Sequence, residues 1–192
     1  MAPKKRIQIP MRERRFRSKA FITLSVYQIH AVHCIPMMES KAEYWNIDPN
    51  AGELLQALIH TQKPKQILEI GTSNGYSAIL MGKVASKYNG EITTIEFFEE
   101  RVKLATKNIQ QESLSDTITI LQGDADQVLP KLLGDNRKFD FIFLDANKEE
   151  YRMYFEYTMK MIEPNGIIIA DNTVSHAKKL TEFFTAVQEE PR

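Results

Sequence analysis

The chain has 192 residues, 43% of them hydrophobic and 26% charged, which is enough to bury the core of one globular domain. No apolar run approaches the roughly 18 residues that span a membrane, so no membrane partner is expected. The single cysteine, Cys34, excludes an internal disulfide and favours a reducing, cytoplasmic compartment. The formal net charge is zero, but residues 1–19 carry eight Lys and Arg against one Glu, so the remainder is acidic.

Residues 1–35 are predicted to form a basic N-terminal arm with a possible helix, ahead of a domain at 36–192. Three interpretations of the basic residues stay open: a solvated tail, a targeting segment, or a contact with nucleic acid or a membrane. His30, His33 and Cys34 do not all share one helical face. A packing role is therefore favoured over a metal site.

Helices and strands alternate along the rest of the chain. Asp48 and Pro49 are typical of a helix start, ahead of a helix predicted at 50–60. Strands are predicted at 65–70, 91–96, 117–122, 139–145 and 166–171, and helices at 74–86, 98–112, 125–133, 148–162 and 176–189. This alternation of apolar strands with helices predicts an α/β fold, a Rossmann-like doubly wound sheet of five parallel strands. Tyr151 and Tyr154 are interpreted as core residues of the helix at 148–162.

Acidic residues follow the predicted strands at the carboxyl ends, where open parallel sheets bind ligands. They are Glu69, Glu96, Asp124, Asp145 and Asp171. The glycine turn at 71–75 lacks the G-x-G-x-x-G spacing of dinucleotide sites, and an acidic rim would repel a pyrophosphate. A cationic cofactor without phosphate, such as S-adenosylmethionine, fits this rim better. Tight turns without a ligand would also explain the two glycines.

Asp145, Asp171 and Asn172 form an all-oxygen set at the ends of the fourth and fifth strands. Such ligands suit Mg²⁺ or Ca²⁺, although Asp and Asn also serve as helix caps and turn residues. Lys148 comes three residues after Asp145, at a helix start, where a cation is not favoured. A solvated lysine is the alternative interpretation of Lys148.

Five segments, in this order and spacing, closely resemble the class I methyltransferases: LEIGTSNGYSA, ITTIE, GDA, FIFLDANKEEY and GIIIADN. More narrowly, they resemble the metal-dependent O-methyltransferases that include the catechol and caffeoyl-CoA enzymes and many small bacterial relatives. The resemblance extends from about Trp45 to Gln188. It implies that methyl groups pass from S-adenosylmethionine to a hydroxyl of a catechol-like small molecule.

The resemblance also implies the roles of individual residues. Asp145, Asp171 and Asn172 would hold Mg²⁺ or Ca²⁺. Lys148 and Asp145 would be the catalytic residues, and Lys148 would deprotonate the acceptor hydroxyl. Ile47 would close over the methionine part of the cofactor. The implied cofactor-binding positions are Ile47, Glu69, Gly71, Thr72, Ser73, Gly75, Ser77, Glu96, Phe97, Asp124, Ala125, Asp145 and Asn147.

The chain departs from the family pattern at both ends. The family's sheet finishes with a β-hairpin, whereas this chain stops at Pro191-Arg192, so we expect a C-terminally truncated domain whose strand at 166–171 is an uncovered edge. Asn147 also replaces an acidic residue of some members. Two alternatives stay open. The protein would O-methylate a hydroxyuridine in a tRNA whose phosphates bind the basic arm, or it would be a catalytically impaired fragment that binds the cofactor. A homodimer is expected.

Overall fold

The computed structural model describes the backbone of residues 20–23 and the chain from 46 to 190. The basic residues at 4–19 and the candidate cluster of His30, His33 and Cys34 lie outside these described residues. Six strands form one sheet in the spatial order β1-β6-β5-β2-β3-β4, and every neighbouring pair is parallel. The strands are β1 (Ala20–Thr23), β2 (Gln66–Ile70), β3 (Glu91–Glu96), β4 (Ile118–Gln122), β5 (Phe139–Leu144) and β6 (Ile162–Ala170).

Helices connect the strands and cover both faces of the sheet. They are α1 (Pro49–Gln62), α2 (Tyr76–Ala85), α3 (Glu99–Gln111), α4 (Ala125–Gly134), α5 (Tyr151–Met161) and α6 (Thr181–Glu189), with short 3₁₀ turns at Ser86–Tyr88 and Lys148–Glu150. Asp48 caps α1 as predicted, because its carboxylate accepts the Asn50 backbone N–H at 2.8 Å. Within the described residues, no helix is both long and apolar enough to cross a membrane.

The core consists of two apolar layers, one on each face of the sheet. Successive residues of a strand point to opposite faces. Accordingly, Phe141 and Phe143 pack with α1 and α2, whereas Ile142 and Leu144 pack with α4, α5 and α6. All four side chains are fully buried. This confirms the Rossmann-like doubly wound α/β fold and places all five predicted strands.

The expectation of an uncovered edge at 166–171 is wrong for the described residues. β1 lies parallel to β6, with Ala20 opposite Ile167 and Thr23 opposite Ala170. The four residues that cover the edge come from the segment interpreted as a basic arm with a possible helix. At 20–23 the backbone is therefore a strand, and the sheet has a sixth member that the sequence pattern did not indicate.

We expect deletion of residues 1–23 to destabilise the domain, because β6 loses the neighbour that pairs with Ile167–Ala170. Loss of a few backbone hydrogen bonds should cost about 2–4 kcal/mol and lower the melting temperature by roughly 5–10 °C. The freed edge should also promote aggregation, measurable by light scattering. Deletion of residues 1–19 is the matched control, since it removes the basic residues and keeps β1. Equal melting temperatures for both deletions would contradict this pairing.

Two predicted helices begin at least three residues later in the structure than in the sequence prediction. The last helix begins at Thr181 rather than at 176, because residues 173–179 form successive turns before the buried Leu180. The segment predicted as one helix at 148–162 opens with a 3₁₀ turn, and its last residue, Ile162, already pairs with Phe139 as the start of β6. Apolar residues at helical spacing can continue into the neighbouring turn or strand. The periodicity therefore does not show where the helix itself begins or ends.

Candidate active site

The carboxyl ends of the strands border one cavity of about 660 Å³, a size typical of small-molecule sites. Eleven of the candidate site residues line it: Gly71, Ser73, Glu96, Phe97, Asp124, Ala125, Asp145, Asn147, Lys148, Asp171 and Asn172. The five candidates that are not among its lining residues are Ile47, Glu69, Thr72, Gly75 and Ser77. Of these, Ile47 packs in the core beside α1, while its neighbour Asn46 lines the cavity.

The glycine turn brings the end of β2 directly against the end of β5. Gly71 has φ +105°, a conformation that favours glycine, and an added Cβ would lie 2.1 Å from the Asp145 carbonyl oxygen. The N–H groups of Gly71 and Thr72 both donate to the Ile95 carbonyl, at 3.0 and 3.1 Å. The turn is therefore held against β3 and β5 together, and a side chain at Gly71 cannot fit.

Glu96 is a fixed carboxylate at the end of β3. One of its oxygens accepts the Ser73 N–H at 2.8 Å and the other accepts the Phe98 N–H at 3.0 Å. The residue is buried but lines the cavity. Each oxygen retains a further lone pair, so Glu96 can accept hydrogen bonds from a pair of ligand hydroxyls without moving.

Glu69 lies beneath the cavity in a chain of buried hydroxyl groups. Its carboxylate accepts from Ser77 Oγ and Thr94 Oγ1, both at 2.5 Å, and Thr94 is 2.6 Å from Thr72. Burial is the main cause that raises the pKa of Glu69 to about 8, and the charges of Asp145 and Glu96 raise it further. Glu69 thus supports the turn through Ser77 and Thr94, and it adds less negative charge to the rim than its sequence position suggests.

We expect Glu69→Gln to change how stability depends on pH. The raised pKa means that the folded chain keeps a proton that the unfolded chain releases above its ordinary value of 4.5. From about pH 5 to 8 the wild type should therefore lose stability relative to Glu69→Gln, by up to roughly 1.4 kcal/mol per pH unit. Urea denaturation of both proteins at pH 5, 6.5 and 8 measures the difference. A difference that does not vary with pH would contradict this assignment.

Lys148 is held by two partners at the edge of the cavity. Its Nζ is 2.8 Å from Asp145 Oδ1 and 2.6 Å from the Tyr151 hydroxyl oxygen, and its side chain is only 12% exposed. Tyr151 in turn donates to the Leu144 carbonyl at 2.9 Å. Burial, together with the charges of Asp145 and Asp171, raises the pKa of Tyr151, which keeps the phenol a donor. Lys148 is therefore a preoriented amine rather than a solvated one.

Tyr151→Phe should lower the free energy of unfolding by about 1–2 kcal/mol, because it removes the buried hydroxyl that links Lys148 to the end of β5. Tyr157→Phe is the matched control, on the half-buried side of the same helix, and should change stability by less than about 0.5 kcal/mol. Denaturant titration measures both. Equal values for the two variants would show that the Tyr151 hydroxyl does not support Lys148.

Asp145, Asp171 and Asn172 all line the cavity, at the ends of β5 and β6, and their role as metal ligands stays a prediction. Asp171 accepts the Asn172 N–H at 2.7 Å. Burial and then the charge of Asp145 raise the pKa of Asp171, whereas Lys148 lowers it. No group of three or more His, Cys, Asp or Glu residues suited to a metal ion occurs in the described residues. Two carboxylates that repel each other and a neighbouring amide oxygen nevertheless suit a hard divalent cation, which would offset the repulsion.

The sequence reasoning missed several residues of the cavity wall. Phe98 follows the predicted Phe97 after β3 and is 47% exposed, and Arg101 stacks over Phe98 at 4.6 Å. Their position directly after the acidic end of a strand was the available signal. Tyr154 is buried in the core, as predicted, and also lines the cavity beside Glu150, to which its hydroxyl donates.

Charge on the cavity wall is predominantly negative. The acidic residues that line it are Glu96, Asp124, Asp145, Glu150 and Asp171, against Arg101 and Lys148. Such a wall attracts a cationic ligand and repels a pyrophosphate. This agrees with the interpretation drawn from the sequence, although Glu150 and not Glu69 supplies the fifth lining carboxylate.

Known proteins are similar to this chain in both sequence and fold. Residues 32–188 match the model of the O-methyltransferase family. The chain is 37% identical over 141 residues to a catechol O-methyltransferase of Niastella koreensis, covering 73% of this chain and 63% of that protein. It is 32% identical to a caffeoyl-CoA O-methyltransferase of Stellaria longipes, covering 68% and 55%. The match therefore spans less than two thirds of the length of these relatives.

The structural comparison leads to the same group of proteins. The O-methyltransferase from Bacillus cereus, solved in complex with S-adenosylhomocysteine, superimposes with a TM-score of 0.72 at 32% identity, covering 77% of this chain and 72% of that one. The family match extends over more than half of the chain and includes every strand that borders the cavity. The chain belongs to the O-methyltransferase family.

Proposed function

We propose that this protein is an S-adenosylmethionine-dependent, divalent-cation-assisted O-methyltransferase that methylates a hydroxyl of a catechol-like small molecule. One observation carries the proposal. A single cavity joins an acidic wall suited to a cationic cofactor with the Lys148–Asp145 pair and the oxygens of Asp171 and Asn172.

The cofactor side of the cavity supports S-adenosylmethionine over a dinucleotide. Glu96 is positioned to accept the two ribose hydroxyls, and the turn at 71–75 offers no G-x-G-x-x-G cradle for a pyrophosphate. The exposed ring of Phe97, next to Glu96, offers an apolar surface for the base. The relative from Bacillus cereus was solved with S-adenosylhomocysteine, which agrees with this assignment.

The opposite side of the cavity supports a chelated diol. When bound, S-adenosylmethionine supplies an electrophilic methyl group, and a Mg²⁺ or Ca²⁺ ion would hold two adjacent oxygens of the acceptor. Asp145, Asp171 and Asn172 are the residues that would hold this ion. Relatives named for catechol and for caffeoyl-CoA, both vicinal diols, support an acceptor of this class.

Lys148 would remove the proton of the acceptor hydroxyl. Its amine is held by Asp145 and Tyr151 at the cavity wall, so little reorientation is needed for proton transfer. Asp145 keeps the amine in place and is also one of the residues that would hold the ion. The remainder of the rate would come from positioning, since methyl transfer is an in-line displacement.

Calorimetric titration with S-adenosylhomocysteine, with and without Mg²⁺, tests the cofactor assignment. Micromolar binding by the folded chain is expected. Mass spectrometry of catechol incubated with the protein, S-adenosylmethionine and Mg²⁺ then tests the reaction. A folded chain that does not bind S-adenosylhomocysteine would contradict the proposal, and loss of turnover with a chelator would support the role of the cation.

Other expectations stay predictions. Methylation of tRNA depends on basic residues that lie outside the described part of the chain, and salt-dependent RNA binding would favour it. Cofactor binding without turnover on any vicinal diol would instead favour a catalytically impaired fragment. Sedimentation analysis would test the predicted homodimer, and imaging of a tagged chain would test the predicted cytoplasmic location.

A further inference from the structure

His176 lines the cavity, and the function proposed above leaves it without a role. The residue belongs to the loop between β6 and α6, and it faces the same space as Lys148, Asp171 and Asn172. Its backbone N–H donates to the Asn172 carbonyl, so it is on the diol side of the cavity. An imidazole in this position either donates or accepts a hydrogen bond, depending on which nitrogen carries the proton.

The backbone around His176 is fixed at several points. Thr173 and Leu180, on either side of the exposed part of the loop, are fully buried. The N–H of His176 donates to the Asn172 carbonyl at 3.1 Å, and its own carbonyl accepts the Lys179 N–H at 2.8 Å. The imidazole thus extends from a backbone position tied directly to Asn172.

The contacts of Ser175 favour one tautomer of the neutral ring. Ser175 Oγ is 3.1 Å from the Asn172 carbonyl oxygen, a contact that only the single hydroxyl proton of Ser175 can bridge. Ser175 Oγ is also 3.0 Å from His176 Nδ1. With the serine proton directed at that carbonyl, the proton of this second hydrogen bond comes from Nδ1. In the neutral ring, Nε2 is then left as a lone-pair acceptor.

We propose that His176 determines acceptor specificity: Nε2 accepts a hydrogen bond from a further hydroxyl of the acceptor, next to the diol. The inference rests on the proposed function for the position of the diol. His176 is exposed, so an analogue that covers Nε2 without donating a hydrogen bond displaces water and leaves the lone pair unpaired, which lowers its affinity. The preferred acceptors are therefore trihydroxylated rings rather than simple catechols.

The tautomer is tested on the protein alone, by ¹⁵N NMR of the histidine side chains at pH 8. The chain has four histidines, and the spectrum of His176→Gln identifies the signals of His176 by difference. We expect a protonated Nδ1 and an unprotonated Nε2. Ser175→Ala should shift the ring toward the form protonated at Nε2. A ring protonated mainly at Nε2 in the wild type would overturn the inference, whatever the protein methylates.

The specificity is tested by binding two acceptors of similar size to the protein saturated with S-adenosylhomocysteine and Mg²⁺. Pyrogallol carries a third hydroxyl, and 3-methylcatechol carries a methyl group at the same place. We expect the wild type to bind pyrogallol about tenfold more tightly, the value of one hydrogen bond. Anaerobic calorimetry measures both affinities without requiring turnover.

Three variants separate a specific hydrogen bond from a general effect on the loop. His176→Leu should bind the two diols equally, whereas His176→Gln, whose amide oxygen can replace Nε2, should keep most of the preference. Lys178→Leu, an exposed residue of the same loop that is not among the lining residues, should keep the wild-type preference. All three should bind S-adenosylhomocysteine within about twofold of the wild type, because the hydrogen bond of one side chain to the acceptor is the only change.

The outcomes distinguish this inference from the proposed function. If the wild type binds both diols equally, or if His176→Leu weakens both by the same factor, the specificity role is overturned and the proposed function stands. If the wild type binds neither diol in the presence of Mg²⁺, both are overturned. If Lys178→Leu also loses the preference for pyrogallol, the preference depends on the loop as a whole. This result would overturn the role of His176.

Discussion

Lys148→Met is expected to bind S-adenosylhomocysteine with nearly wild-type affinity and to lower kcat by roughly 10²- to 10⁴-fold, the range usual for loss of a general base. The amine lies at the cavity wall between Asp145 Oδ1 and the Tyr151 hydroxyl, where it is preoriented for an acceptor proton. Methionine keeps the length of the side chain and removes the base. Initial rates with a catechol, together with calorimetry of the cofactor product, measure the two effects.

Two further variants identify the reason for the loss. Lys148→Arg retains a positive charge beside Asp145, but a guanidinium does not release its proton, so turnover should fall nearly as far as in Lys148→Met. Lys103→Met makes the same substitution at an exposed lysine on α3, ion-paired with Glu99 at 2.6 Å, and should leave kcat unchanged. Substantial turnover by Lys148→Arg would contradict proton removal and leave an electrostatic role for the lysine.

Gly71→Ala is expected to be the most damaging small substitution in the fold. The new Cβ would lie 2.1 Å from the Asp145 carbonyl oxygen and 2.7 Å from its carbon, both in the backbone, at a φ of +105°. The ends of β2 and β5 must separate, which breaks the 2.9 Å hydrogen bond from Asp145 N to Ile70 O. We expect a loss of about 3–5 kcal/mol in the free energy of unfolding and no measurable binding of S-adenosylhomocysteine.

Gly134→Ala is the matched control for this substitution. Gly134 is the last residue of α4, and a Cβ there would meet nothing within 4 Å. It should leave cofactor binding unchanged and change stability by at most about 1 kcal/mol, in the stabilising direction. Denaturant titration and calorimetry measure both variants. A Gly71→Ala protein as stable as Gly134→Ala would show that the two strand ends do not meet as described.

Much of the site was predictable because it follows from strand polarity. In a parallel sheet all carboxyl ends meet at one edge, so placing Asp145 and Asp171 after two strands suffices to place them near each other. The glycine at position 71 was likewise marked as a turn by the apolar strand before it. The alternation of elements from 48 to 170 needed only local periodicity, which gave the fold class and the strand ends together.

Contacts between residues distant in the chain were not predictable in this way. The pairing of β1 with β6 joins segments about 147 residues apart, because Ala20 lies opposite Ile167. A strand of four residues is also too short to show a periodic pattern in the sequence. The burial of Glu69 depends on Ser77 and Thr94 closing around it. Both results depend on how side chains and strands pack, a property that no single segment contains.

By itself, the sequence determined the order and type of the elements from residue 48 onward and the residues at the strand ends, because apolar periodicity and glycine turns are local properties. The tertiary structure alone decided which strand covers the edge beside β6, that Tyr151 supports Lys148, and that His176 reaches the cavity. These depend on packing between elements, where a shift of one or two residues along an element moves a side chain from the solvent to the site.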